Sequence, residues 1–367
     1  MPSNVSASSS ETFDFLLLGA GIIGMALARE LSLAGVRVGL LERGQCGQGA
    51  SRAAAGMLAV SGFPHDSPLA PLARAAGELY PEFLRQLEAE TGMQCDYRRI
   101  GTLAAQAAVE RHGGNPAELA AMPPGAEPEL RAQGAWYSLP GDHSVNPRAL
   151  CDMLLRSLRS RGVAIFENTA AQSVAARPRG GFTVATSRGA MAADQVVFTS
   201  GAWTAEISGG RLPVTPCRGQ MLALEGRPEL LRHVLLGPDV YLVPQSSGRI
   251  LAGSTLEYAG FDQNPDAATL MRLRRAAIAL APALEPLPTV ETWAGLRPDT
   301  SDHLPLLGEA GAPGLWSATG HYRDGILLAP ITARLMAALV RGRKPEIELS
   351  PFAPARLQSA SGRAKTS

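Results

Sequence analysis

Residues 14–42 constrain the fold more than any other stretch of the chain. Asp14-Phe-Leu-Leu-Leu-Gly19 is a short apolar run with the length of a buried parallel strand. Gly19-Ala-Gly21-Ile-Ile-Gly24 follows at once. Ile22 to Ala34 then keeps helical spacing, with Ile23, Leu27 and Leu31 on one face, and Gly35 stands where a helix C-cap glycine belongs. Val36 to Glu42 reads as a second strand ending in a carboxylate. Each part has a physical task. Gly19 permits the tight turn, Gly21 lets backbone approach a pyrophosphate, and Gly24 lets the helix pack close to the strand. The helix N-terminus offers unpaired N–H groups to phosphate oxygens, and Glu42 can accept hydrogen bonds from a ribose diol. A glycine fingerprint alone is weak evidence. Framed by strand, helix and acid, it predicts a dinucleotide site.

Gly49-Ala-Ser51-Arg-Ala-Ala-Ala-Gly56-Met57 follows. Small side chains let a loop lie flat against a large planar cofactor. Ser51 and Arg52 can reach phosphate oxygens, and the Gly56–Met57 backbone can face a ring edge. The same residues also read as a tight helix start with alanines chosen for propensity. Spacing alone leaves the two readings even.

The 367 residues carry a net charge of +1, which argues against nucleic-acid binding and against polybasic membrane docking. A 46% hydrophobic fraction is too high for disorder and gives ample core for two domains or one large one. Cys46, Cys95, Cys151 and Cys217 form no close pair, so free thiols, a reducing compartment and a cytoplasmic setting are expected, with no metal site. The uncharged run Phe15–Ala28 is short for a membrane span, and residues 1–14 hold no Lys or Arg of a signal peptide. Residues 1–12 and 353–367 are expected to be tails.

Farther along, residues 67–91 read as a helix with Leu72, Leu79, Phe83 and Leu87 on its buried face. Residues 106–134 read as surface helical pieces and loops. Asn146 caps a helix to Arg161, with Pro147 at its first position. Strands are expected at 164–167, 171–176, 181–187, 189–194 and 195–199, the last running into Ser200-Gly-Ala-Trp203. A β-rich block spans 214–256, with a hairpin from Tyr241 to Thr255. A helix at 266–280, strands at 289–296 and 315–319, a loop at 320–325 and a helix at 326–340 complete the reading. Parallel α/β pieces at both ends with β-rich pieces between predict an α/β (overall α+β) architecture. In it a Rossmann-like cofactor domain (13–90, 146–212 and 297–352) is interrupted by a second domain on a mainly antiparallel sheet (91–145 and 213–296).

Four patches fit one pattern together: Gly19–Gly24 with Glu42, Ser51–Met57, Trp293-Ala-Gly-Leu-Arg297-Pro, and Gly320-His-Tyr-Arg323-Asp-Gly-Ile. With them the chain resembles the flavin amine oxidases of the D-amino-acid oxidase family, in particular the glycine oxidase branch associated with thiamine biosynthesis. The resemblance covers roughly residues 13–352 and implies a non-covalent FAD. It places FAD contacts on Ile22, Ile23, Glu42, Arg43, Ala50, Ser51, Ala55, Gly56 and Met57, with Val174 as a backbone contact to adenine. His321, Tyr322, Arg323, Asp324, Gly325, Ile326 and Leu327 would hold the flavin pyrimidine. Amide N–H groups at the start of a helix suit the charge that this region gains on reduction. Relatives that tether flavin use a cysteine in the C-terminal half. The only cysteine after residue 151 is Cys217, far in sequence from the final loop, so no covalent link is expected.

The resemblance gives Arg297 the substrate carboxylate, with Arg323 a second contact and Tyr241 a hydroxyl partner. A guanidinium suits that task, since it stays charged and grips a carboxylate with two N–H groups. Blander roles exist: an ion pair at a strand end for Arg297, a pair with Asp324 for Arg323, hairpin packing for Tyr241. His321 reads as a loop residue rather than a base, and His303 as part of a polar turn.

The implied activity is hydride transfer from glycine, another small amine or a D-amino acid to flavin N5. O2 is the acceptor, and the products are imino or α-keto acid, ammonia and H2O2. A dehydrogenase using a quinone or carrier is the nearest alternative. A non-catalytic FAD-stabilised subunit is opposed by Arg297 and Arg323, and a tRNA-modifying relative by the balanced charge. A homo-oligomer and hand-off of product to thiazole synthesis are compatible with the resemblance.

Overall fold

The computed structural model describes residues 12–64 and 66–357. The expected strand, helix and strand at the start are Thr12–Leu18, α1 (Ile22–Leu33) and Val38–Leu41. Every residue from Ile22 to Arg29 of α1 is buried, as is Leu31. A helix apolar on all sides belongs inside a fold. Four further long helices are α2 (Leu69–Thr91), α3 (Pro147–Ser160), α4 (Ala267–Leu280) and α5 (Gly325–Leu339). Asn146 accepts from the Arg148 and Ala149 amides, so the expected cap of α3 is present. No helix among the described residues is long and apolar enough to cross a membrane.

Eight strands form the first sheet. Thr12–Leu18 lies parallel to Val38–Leu41 on one side and to Gly189–Phe198 on the other, with Leu17 opposite both Leu40 and Val197. The sequence reads two strands at 189–194 and 195–199, but they are one strand of ten residues. Thr12–Leu18 pairs with both of its halves, which leaves no room for a break. Its first half also pairs antiparallel with Phe182–Thr186, and its second half parallel with Leu315–Thr319, so the sheet forks there. Leu306–Ala312, which the sequence does not suggest, adds at the edge. Helices α1, α2, α3 and α5 share one core with this sheet, built on Leu17, Leu27, Leu72, Leu154 and Leu328 among others.

The second sheet also has eight strands. Its order is Thr289–Asp299, Thr215–Glu225, Arg249–Gly253, Tyr241–Pro244, Val234–Leu236, Thr102–Ala105, Trp136–Leu139 and Ala120–Ala121. All neighbours are antiparallel except Val234–Leu236 with Thr102–Ala105. Helix α4 covers it through Leu273, Ala277 and Leu280. Its strand Thr289–Asp299 runs on past position 296, because pairing with Thr215–Glu225 continues to Thr215 opposite Asp299. A third, small sheet joins Met57–Leu58, His143–Val145 and Tyr97–Arg98, stitching the cofactor segment to the inserted one.

The expected tails differ at both ends. Thr12 already pairs with Ala192, and Arg356 holds Asp302 through Nε at 2.7 Å. The rest of the expected tails, 1–11 and 358–367, lies outside the described residues.

One charged group inside the apolar core ties three helices together. Arg29 of α1 is 1% exposed. Its Nη2 lies 2.5 Å from Oε1 of Glu90 in α2, which also receives Arg161 at 2.8 Å, while Ser157 of α3 donates to Oε2 at 2.6 Å. Burial works against the Glu90 charge, but the hydrogen bonds from Arg29, Arg161 and Ser157 overcome it and hold the pKa at about 2. Removing one partner of such a pair strands the other. Glu90→Ala is therefore expected to cost about 3 kcal/mol in denaturant unfolding of the FAD-loaded protein. The folded pKa is depressed, so this stability is present above the ordinary value of 4.5 and lost as pH falls through about 2. Variant and parent should thus converge in acid, and an equal gap at pH 7 and pH 2.5 would contradict this account.

Candidate functional site

A cavity of about 760 Å³ runs between the two sheets. One end is the glycine turn, at the C-terminal edge of the parallel strands where nucleotides bind in such folds. Gly19, Gly21, Ile22, Ile23, Glu42 and Arg43 all line it. Gly24 does not, and its role is packing. A Cβ there would sit 2.0 Å from the Gly19 carbonyl oxygen, so only glycine lets α1 start this close to the strand. The Glu42 carboxylate is pinned by the Ala20 amide at 3.0 Å and the Gly44 amide at 2.9 Å.

The two readings of residues 49–57 combine. Ala50–Ala53 is a single helical turn, and Ala50, Ser51, Ala55, Gly56 and Met57 nonetheless line the cavity. Ser51 Oγ accepts the Ile22 amide at 2.9 Å, so it caps α1 and keeps its own proton for a phosphate. Arg52 departs from expectation. It lies off the cavity wall, 3.6 Å from Asp152, because the helical turn points it away. Val174 departs too. The wall here is Thr169–Ala171, and Val174 sits farther along its strand, opposite Val184.

Trp203 is the residue that sequence reasoning passed over. It lines the cavity, and the Arg43 guanidinium lies 4.0 Å over its ring. Its signal was its place in the turn that follows a central parallel strand.

At the other end stands Arg297. Nη1 donates to the Thr255 carbonyl at 3.1 Å and Nη2 to Ser254 Oγ at 2.5 Å. No carboxylate among the described residues lies within ion-pair distance, so it is not an ion pair at a strand end. A Cβ at Gly219, on the neighbouring strand, would stand 2.3 Å from the guanidinium, so glycine makes the space that Arg297 fills. Cys217, far away in sequence, sits directly opposite Arg297 in the strand register, fully buried and off the cavity wall. Tyr241 lines the cavity, and among the described residues its hydroxyl has only the Met221 sulfur at 3.6 Å as partner.

The loop before α5 closes this end. His321 is buried, with Nε2 3.0 Å from Thr332 Oγ1, and burial pushes its pKa down to about 3. It is a neutral support at working pH, as its loop position suggests. Tyr322 donates its amide to the Pro298 carbonyl at 2.9 Å and stacks on His303 at 4.8 Å. His303 Nδ1 lies 2.7 Å from Asp299, so the polar turn braces Tyr322. Arg323 turns from Asp324 to the Tyr322 hydroxyl at 3.1 Å. Gly325 and Ile326 line the cavity, whereas Asp324 and Leu327 do not. Leu327 faces the core at 1% exposure. Asp324 stands at the N-cap of α5 without a side-chain cap bond, and burial pushes its pKa up to about 7.

These residues fit FAD. A helix N-terminus and a capping hydroxyl face the phosphate end, a pinned carboxylate suits a ribose diol, and an aromatic ring and a wall of small residues suit planar rings. A fixed guanidinium lies beyond, at the opposite end.

Residues 14–339 match the family described as DAO, FAD dependent oxidoreductase. The chain is 36% identical to a glycine oxidase of Pseudomonas aeruginosa, over 93% of this chain and 98% of that one. It is 38% identical to a bifunctional protein ThiO/ThiG of Nostoc sp., over 95% of its own length and 55% of that relative. The crystal structure of glycine oxidase from Geobacillus kaustophilus superimposes with a TM-score of 0.88 at 33% identity, covering 95% of this chain and 99% of that one. A nucleotide turn, a cavity built for a flavin and these relationships converge: the chain belongs to the DAO family of FAD-dependent oxidoreductases.

Proposed function

We propose that this protein oxidatively deaminates glycine and other small amines or D-amino acids. The observation that carries the reading is Arg297, an unpaired guanidinium at the far end of a cofactor cavity, held by a carbonyl and a hydroxyl rather than by an acid. The glycine oxidase names of its relatives support the choice of substrate.

The chain's residues do mainly positional work. Arg297 grips the substrate carboxylate, its fork already aimed by Ser254 and Thr255. Tyr241 offers a hydroxyl whose partner among the described residues is the weakly accepting Met221 sulfur. Bound FAD would supply the hydride acceptor, with dioxygen as the final oxidant and hydrogen peroxide as its product. The ammonium proton leaves to solvent, since His321 is buried, neutral and bound to Thr332. The imino acid hydrolyses in water to the α-keto acid and ammonia. The ThiO/ThiG name of the fused relative supports a role for the product in thiazole synthesis, within thiamine biosynthesis.

Anaerobic glycine should bleach the flavin, and air should restore it with release of peroxide. Fast bleaching with slow recovery in air would instead identify another electron acceptor. Arg297→Leu should raise KM for glycine roughly 100-fold while the flavin spectrum is kept, the loss expected for a charge-assisted pair. Gly219→Ala should act in the same direction without removing the charge, raising KM roughly 10-fold by displacing the guanidinium. An unchanged KM in both variants would remove Arg297 from the substrate site.

Asp324 makes a separate prediction. Its folded pKa is raised, so its contribution to stability is whole below 3.8 and lost as pH rises through about 7. Asp324→Asn should therefore raise the thermal midpoint, by an amount that grows from pH 4 to pH 7 and is flat above. A gain independent of pH would show that its carboxyl is not buried against charge.

A further inference from the structure

Arg297 takes its aim from a segment with no regular structure of its own. Residues 254–266 leave the second sheet after Gly253 and reach α4 at Ala267 with no helix or strand between, only a single bridge of Glu257 to Arg218. Long connections without structure are uncommon in compact folds and are usually functional. Here the first two residues are the partners of the Arg297 guanidinium, Ser254 through its hydroxyl and Thr255 through its carbonyl. Whatever holds this segment therefore holds the guanidinium.

The hold comes from Thr215–Glu225, the strand beside that of Arg297. The backbone of Arg218 exchanges hydrogen bonds with that of Glu257, at 2.7 Å and 3.0 Å. Its side chain, 12% exposed, reaches both halves of the segment. Nη2 and Nε lie 2.5 Å and 3.0 Å from Oε2 of Glu257, and Nη1 lies 2.5 Å from Oδ2 of Asp262. Gln220, fully buried, works beside it. Its backbone amide donates to Thr255 Oγ1 at 3.0 Å and its side-chain N–H to Glu257 Oε1 at 2.9 Å, while its side-chain carbonyl accepts the Asp266 amide at 2.6 Å. Tyr258 adds a tie to the Arg297 strand itself, donating to Asp299 at 2.6 Å. Neither Arg218 nor Glu257 lines the cavity, so the pair acts only through the residues it holds.

We propose that Arg218 is a positioning residue. Its ion pair with Glu257 fixes Ser254 and Thr255, and so keeps the Arg297 fork aimed at the substrate carboxylate. The proposal rests on the preceding reading in placing that carboxylate at Arg297. A guanidinium whose partners are loose keeps its charge but must be ordered each time a carboxylate binds, and that ordering lowers affinity. Positioning differs in sign from attraction through space. Attraction alone makes loss of the Arg218 cation weaken carboxylate binding and loss of the Glu257 anion strengthen it. Positioning makes both losses weaken it.

The probe is methoxyacetate, a carboxylate with no amine to oxidise. It is titrated into protein saturated with FAD and followed by the flavin absorbance change. Arg218→Met and Glu257→Ala should each raise its dissociation constant about tenfold, and the double variant should lose no more than either alone, because both break one pair. Arg218→Lys keeps a cation within reach of Glu257 and should recover at least about threefold of the loss. In glycine turnover the Arg218→Met loss should fall on KM, with kcat kept within about threefold. Tighter binding in Glu257→Ala would show charge acting through space and overturn the proposal, as would additive losses in the double variant. A loss in Arg297→Leu without a loss in Arg218→Met and Glu257→Ala would overturn this proposal alone. Unchanged binding in Arg297→Leu would overturn the preceding reading, and this one with it.

Discussion

The close approach of α1 to the first strand governs the rest of the molecule. Where Gly24 passes the Gly19 carbonyl there is no room for a methyl group. That contact sets the direction in which α1 leaves the sheet, and so where its N-terminus points. Ser51 then reaches that N-terminus from the next segment of chain, and the wall that follows Ser51 is positioned by the same bond. Helix α1 is buried continuously from Ile22 to Arg29, so most of its length must be covered by other elements. Helices α3 and α5 cover it, and the Glu90 knot to Arg29 and Ser157 fixes α1, α2 and α3 at one point.

The second constraint is how the inserted sheet is held against the first. Trp293 donates its indole N–H to the Ala53 carbonyl at 2.9 Å. Two residues earlier, Glu291 receives Arg148 from α3 at 2.7 Å and also Arg249 from the strand beyond its neighbour Thr215–Glu225. These ties lie on the strand that ends in Arg297 and Asp299. One strand therefore touches the cofactor wall near its middle and presents the substrate anchor near its end. The distance between the two is set by the rise of a β-strand, which is stiff, rather than by a loop.

How much of this could be read beforehand depended on how local the cause was. The turn at Gly19–Gly24 and the acid at Glu42 lie within one supersecondary unit, and their spacing carries their geometry. Asn146 capping α3 and Gly35 ending α1 are local in the same way. Arg297 was legible only through its neighbours Trp293 and Gly295, whose pattern resembles a family. Its actual support comes from Ser254, Thr255 and the gap at Gly219, none of which spacing reveals. Arg52 and Val174 were misplaced for a related reason. A helical turn and a strand register decide which side faces the cavity, and shifts of a residue or two reverse the answer. Trp203 with Arg43, and His112 with Arg323, are contacts between distant segments that only the folded chain brings together. The strand Leu306–Ala312 is interrupted by Gly308 and Gly311, which weaken a strand pattern in sequence and sit here in an edge strand with a bulge.

The fork in the first sheet has a consequence for the nascent chain. Thr12–Leu18 finds one neighbour, Val38–Leu41, almost at once. Its other neighbour is Gly189–Phe198, and that strand in turn waits for Leu315–Thr319. Everything that makes up the inserted sheet is synthesised before the last of these strands leaves the ribosome. The domain that begins the chain is therefore the one completed last, closing around a neighbour that already has all its strands. Such long-range pairing is slow to form and leaves strand edges open in the interval. A polar loop replacing one of those edges would shorten the wait only by giving up the sheet that carries the nucleotide turn.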